Sequence, residues 1–217
     1  MLPDPSSANG PTGNTRNSGG RIIVIGASTG GVEALYTLLS EFPSDCPPTF
    51  VVQHMRPGFV KGFVAGLNRV CAADVVQAQD RQLLRQGQIY IAPAGNMHLC
   101  LAATPVVSIR LTEAPPVHGH RPAVDPLFLS AAQLRPAPVA ALLTGMGRDG
   151  AEGLLQIRRA GAHTIAQDQA SSVVYGMPGA ARELGAAHQI LPLSAIAAAL
   201  LRLSGQTGPH LSNRRIS

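Results

Sequence analysis

Residues 21–31, Arg21-Ile22-Ile23-Val24-Ile25-Gly26-Ala27-Ser28-Thr29-Gly30-Gly31, decide how this chain is read. An apolar β-branched run leads into a glycine-rich turn, and the helix-like stretch Val32 to Leu39 follows. Strand, turn and helix in that order are the unit from which parallel α/β sheets are built. Such a turn aims free backbone N–H groups away from the strand end, and the helix dipole adds about half a positive charge there. Negative charge is therefore welcome at the turn.

Two chemistries use that geometry, and residue types separate them. A dinucleotide site needs G-x-G-x-x-G with a bare middle glycine, then an acidic residue about 20 positions on. Here Ser28 holds the middle place, and the next apolar run, Thr49-Phe50-Val51-Val52, ends in Gln53 and His54. A hydroxyl and an imidazole suit a nucleophile and its base. Gly26-x-Ser28-x-Gly30 has the spacing of a nucleophile elbow, while a turn residue or helix cap is the plainer account of a lone Ser there.

Outward from this stretch, strands and helices alternate. Phe42-Pro43 stops the first helix. A second strand over 49–53 and a helix over 59–67 follow. Short alternating runs at 75–77, 89–92, 98–101 and 106–111, separated by Gly, Pro and Asn, suggest hairpins. A helix over 126–134, a buried strand over 139–144, a helix over 151–160, a strand over 163–167, a short helix after Pro178, a strand over 188–191 and a final helix to Leu203 complete the pattern. The fold class predicted is α/β: a doubly wound, mainly parallel sheet with an inserted antiparallel hairpin region, over residues 21–204. Residues 1–20, rich in Pro, Ser, Asn and Gly, read as a disordered lead-in, and 205–217 as a flexible tail.

Composition bounds the function. The 217 residues suffice for one core, with 45% hydrophobic and 13% charged residues. Aromatic content of 4% without Trp disfavours stacking on bases, and the basic residues, among which Lys61 is the only lysine, are scattered. No nucleic-acid partner is expected, although the net charge of +5 would help an acidic protein to dock. Cys46, Cys71 and Cys100 form no paired framework. With no signal core and no apolar run of membrane-spanning length, the expected location is the cytoplasm without membrane insertion.

Ser28, His54 and Asp149, in the turn Gly145-Met146-Gly147-Arg148-Asp149-Gly150, each follow a predicted parallel strand, so they can share one rim at the carboxyl ends. Meeting there, they would perform acyl transfer, with Ser28 as nucleophile, His54 as base and an acid fixing the imidazole. Asp80, Asp125 and Asp168 are rival acids on spacing alone. Two competing readings stand beside this one. The Gly26–Gly31 turn could be an anion nest in a non-catalytic module that binds phosphate or nucleotide, and His118-x-His120 could supply two ligands of a metal site lacking a third. No cofactor and no metal are predicted.

The sequence resembles the chemotaxis protein-glutamate methylesterases (CheB) from about Arg21 to Leu203. The blocks that carry the resemblance are Ile25 to Gly31, Val52-Gln53-His54-Met55, Ile89 to Pro93, His98-Leu99, Arg121-Pro122-Ala123-Val124-Asp125, Leu143 to Ala151, and Ala166-Gln167-Asp168 through Gly176-Met177-Pro178. The resemblance implies a triad of Ser28, His54 and Asp149, with Thr29, Gly30 and Met146 supporting the site or the oxyanion. The substrate implied is glutamate γ-methyl ester on the cytoplasmic helices of methyl-accepting chemoreceptors, with glutamine deamidation as a related activity. Family members usually begin with a receiver domain, and only residues 1–20 precede the first strand here. A stand-alone enzyme is therefore expected, either constitutive, controlled by a separate response-regulator protein, or used outside chemotaxis.

Overall fold

The computed structural model describes residues 21–103 and 106–205. Seven parallel strands form one sheet: β1 (Ile23–Ala27), β2 (Thr49–Gln53), β3 (Asp74–Gln77), β4 (Gln88–Ile91), β7 (Val139–Leu142), β8 (Thr164–Gln167) and β9 (Gln189–Leu191). Their spatial order is β3-β4-β2-β1-β7-β8-β9. The remaining two, β5 (His98–Ala102) and β6 (Ser108–Thr112), pair antiparallel in a separate sheet. The helices are α1 (Gly31–Leu39), α2 (Val60–Leu67), α3 (Val124–Ala131), α4 (Ala151–Arg159), α5 (Met177–Glu183) and α6 (Leu193–Leu203). The α/β class and the antiparallel insert are as predicted. The expected tails lie outside the described residues, save for Gly205.

Alternation along β1 explains the double winding. Ile23, Ile25 and Ala27 face one layer with Val51, Ile89, Val139 and Ile165, packed under Leu35 and Leu38 of α1, Phe63 of α2 and Leu200 of α6. Val24 faces the other with Phe50, Tyr90, Ala140 and Leu142, packed under Leu127 and Phe128 of α3, Leu154 of α4 and Ala181 of α5. Both faces of each central strand are therefore apolar, which is why these runs read as unbroken hydrophobic stretches. On α1 the buried positions Gly31, Ala34, Leu35, Leu38 and Leu39 make the single stripe of a helix lying on a sheet.

Two expectations are corrected. The runs at 75–77 and 89–92 are not hairpin strands: they are β3 and β4, parallel members at one edge of the main sheet. No helix crosses between them. Residues 78–87 instead lean on β6, with the Arg81 N–H bonded to the Ile109 carbonyl and the Ile109 N–H to that of Gln82. The hairpin covers the sheet where a crossover helix would normally lie, adding Leu99, Leu101 and Ile109 to the core. The helix expected over 126–134 begins earlier, at Val124, and ends at Ala131. No helix among the described residues is long and apolar enough to cross a membrane.

Candidate active site

The chain leaves β1 for β2 on one side, and β7 lies on the other, so the strand order reverses at β1. Crevices form at the carboxyl ends of strands where this happens. Pairing of Ala27 with Gln53 sets the next residue of each strand, Ser28 and His54, side by side, and the His54 N–H donates to the Ala27 carbonyl at 3.1 Å. The nearer ring nitrogen, Nδ1, lies 3.1 Å from Ser28 Oγ. The far nitrogen, Nε2, lies 2.7 Å from Asp149 Oδ2. Relative to the chymotrypsin-type triad, in which Nε2 serves the serine, the ring is reversed end for end. Strand adjacency explains it: with the two backbones already neighbours, the short reach belongs to Nδ1.

Asp149 comes from the loop after β7, and its side chain is 2% exposed. Its Oδ2 also accepts the Val124 N–H at 2.7 Å, and its Oδ1 the Asp125 N–H at 3.0 Å. These are the first donors of α3, so the carboxylate sits on a helix N-terminus, where negative charge is stabilised. Burial pushes this carboxyl up, but the hydrogen bonds from His54, Val124 and Asp125 outweigh it and hold it below the usual carboxylate value. An ionised Asp149 can only accept. The His54 Nε2 therefore donates to Asp149, and in the neutral imidazole this leaves the Nδ1 lone pair facing the Ser28 hydroxyl.

The rival acids are engaged elsewhere. Asp80 accepts the Leu111 N–H, and Asp168 accepts the N–H and hydroxyl of Ser171. Asp125 accepts the Gly153 N–H at 2.7 Å and lies 3.1 Å from His118 Nε2. Burial, foremost, raises the Asp125 carboxyl, and the charge of Asp149 adds to that rise. Donor atoms of His118, Asp125 and Asp149 lie within 4.8 Å of one another, the spacing of a metal cluster. Every one of these groups is already held in a hydrogen bond of the same network.

Thr29 and Gly30 follow Ser28 at the start of α1. Gly30 takes φ +78, where any Cβ would sit 2.5 Å from that of Val173. Among the described residues, no acceptor takes the N–H of Thr29, Gly30 or Met146. Met146, 72% exposed, flanks the site from the loop after β7.

Three further residues shape the site without having been singled out for it. Gln53 donates from Nε2 to the carbonyls of both Ser28 and His54, tying the two turns together. Thr144 donates its hydroxyl to the Thr29 carbonyl, and its backbone carbonyl accepts the Ser28 N–H. His120 stacks on His54 with ring centroids 3.7 Å apart and planes 14° from parallel. The pair His118-x-His120 thus splits, one ring toward Asp125 and the other onto His54. For Gln53 the available signal was its place immediately before His54 in a matching block. Nothing in the spacing of His120 pointed toward residue 54. Beside the Met146 loop lies a cleft of about 760 Å³ lined by Gly147, Arg148, Tyr175, Gly176, Gly179, Ala180, Arg182 and Glu183.

The sequence model of the CheB methylesterase family matches residues 23–200. The crystal structure of the Thermotoga maritima CheB methylesterase catalytic domain superimposes with a TM-score of 0.81 at 37% identity, covering 85% of this chain and 98% of that one. A protein-glutamate methylesterase/protein-glutamine glutaminase of Agrobacterium fabrum is 50% identical over 188 residues, 86% of this chain and 54% of that protein. A similarly named protein of Rhizobium johnstonii is 49% identical over 205 residues, 94% of this chain and 57% of its own length. The chain spans about half the length of these curated relatives.

Proposed function

The chain belongs to the CheB methylesterase family, and from that premise we propose that it is a serine hydrolase cleaving glutamate γ-methyl esters on chemoreceptor cytoplasmic helices. The observation that carries the proposal is the continuous hydrogen-bonded line from Ser28 Oγ through the His54 ring to Asp149. In this mechanism Ser28 Oγ attacks the γ-carbonyl while His54 Nδ1 takes its proton, and Asp149 stabilises the imidazolium. The tetrahedral oxyanion is held by the unengaged N–H groups of Thr29, Gly30 or Met146, each such donor being worth about 3–4 kcal/mol in the transition state. His54 returns the proton to the leaving methoxide, methanol departs, and water attacks the acyl-enzyme by the same route in reverse.

The same steps release ammonia from a glutamine side chain, and the relatives named protein-glutamine glutaminase support that second substrate. A separate response regulator as a controlling partner belongs to the same proposal.

Receptor membranes carrying radiolabelled methyl esters provide the test. The protein is expected to release labelled methanol, and Ser28→Ala to release none. Equal release by the two would refute the nucleophile, and tight nucleotide binding retained by Ser28→Ala would favour the anion-nest module instead.

A further inference from the structure

We propose that His120 is a positioning residue for the triad: its ring clamps one face of His54, and its neutral form is required for imidazolium to form beneath it. This rests on reading His54 as the catalytic base.

His120 is held by a built strap. Val117 and His120 exchange both backbone hydrogen bonds, at 3.1 and 2.9 Å, around His118 at φ 50 and Gly119 at φ 78. Positive φ at both central positions makes a tight type I′ turn, a costly conformation for His118. Its imidazole is anchored at Asp125, 3.1 Å away. Below the turn, the buried His98 accepts the Ala123 N–H at its Nδ1 and donates from Nε2 to the Pro115 carbonyl, pinning the strap at both ends. Arg121 donates to the carbonyls of Ala114 and Gly95 and to Asn96 Oδ1. The side chains of His98, His118 and Arg121, with their partners, and a strained turn thus converge on presenting one ring.

What that ring does follows from its stacking. The edges of His54 are held by Ser28 and Asp149, and a parallel ring at 3.7 Å packs against its face and limits its tilt. When His54 takes the serine proton, a neutral aromatic face above it is attractive to the new cation, whereas a second imidazolium would be repulsive. The groups facing His120 are His54 from the end of β2, Asp149 from the loop after β7 and His118 from its own turn. Burial, first, and then the charges of His54 and His118 lower its pKa against the opposing pull of Asp149, so the strap keeps His120 neutral.

The test compares His120→Phe with His120→Ala, measuring kcat on a glutamyl methyl ester peptide from pH 5 to 9, with thermal melting as the folding check. His120→Phe, which keeps the stack and cannot titrate, should retain kcat within about threefold, and its acidic limb should fall with the slope of one proton where the wild type steepens toward two. His120→Ala should lose about ten- to a hundredfold in kcat through loosened geometry. In the wild type, proton resonances of the His54 ring should carry a ring-current shift that is lost in His120→Ala and kept in His120→Phe. Wild-type kcat and an unchanged acidic limb in folded His120→Ala would overturn the clamp. Equal damage in folded Phe and Ala variants would overturn it too, by moving the role to an imidazole nitrogen. If the wild type shows no Ser28-dependent turnover while the ring-current shift is present, the reading of His54 as base fails and the stacking stands.

Discussion

Asp149 does two jobs with one carboxylate, orienting His54 and accepting the first N–H groups of α3. Replacing it by Asn keeps the shape, but the amide offers one oxygen to three donors and turns an NH₂ toward one of them. The expected cost is about 10⁴ in kcat, as when the acid of another triad is removed. The double role also makes a stability prediction. Because the folded-state pKa of Asp149 lies below its unfolded value, the folded state gains stability from it above the ordinary carboxylate range, and that gain is lost as pH falls through the folded value. Asp125 has the opposite sign: raised by burial, it contributes below the ordinary value and loses that contribution as pH rises. Urea unfolding from pH 6 down to 3 should therefore show a level gap between the wild type and Asp149→Asn above about pH 4 that narrows as the pH falls below it. A constant gap between them would refute the assignment. At this scale the sequence was only partly legible. Ser28 and His54 stand out because each directly follows a strand, whereas Asp149 lies seven positions past the end of β7 and spacing alone could not exclude Asp80, Asp168 or, nearest to it in the structure, Asp125. What separates Asp149 from Asp125 is which N–H groups their oxygens meet, and that depends on α3 arriving from a distant part of the chain.

At the scale of elements, the loop after β7 has little room to spare. A Cβ at Gly145 would lie 2.2 Å from Met177 Sδ, at the start of α5, and 2.7 Å from Ser28 Cβ. The Met177 thioether can swing aside, but Ser28 cannot move without leaving His54. Gly145→Ala should thus cost about 1–3 kcal/mol in unfolding free energy, while ester turnover falls much further, by about a hundredfold. A loss of turnover no greater than the loss of folded protein would show that Ser28 accommodates the methyl group. The central strands were legible because both of their faces are apolar. Strands β3 and β4 were not: both are short and flanked by turn residues, and β3, at the sheet edge, is partly exposed, so they carry the local pattern of a hairpin. Their parallel pairing is decided by β6 supplying cover from elsewhere, a contact that no local window contains.

Across the whole molecule, the net charge of +5 comes almost wholly from arginine, with Lys61 the single lysine. Two arginines, Arg148 and Arg182, line the cleft beside the Met146 loop, and among the described residues neither guanidinium has a hydrogen-bond or carboxylate partner. In the proposed reaction each turnover on a receptor converts a neutral ester into a carboxylate, so the docking surface would grow more acidic as the reaction proceeds. A cationic rim would therefore speed encounter with a partly demethylated receptor. Salt should weaken this because the Debye length shrinks from about 14 Å to about 4 Å between ~0.05 and ~0.5 M. Over that range kcat/KM on receptor membranes should fall by about three- to tenfold, chiefly through KM, while turnover of a small uncharged ester stays level. In the doubly neutralised variant Arg148→Gln/Arg182→Gln the salt slope on receptor should flatten by about half. A variant with the full slope would place docking on the other arginines of the surface, and a wild type indifferent to salt would remove charge from recognition altogether, leaving exposed apolar side chains such as Met146, Val173 and Phe59 to seat the receptor helix.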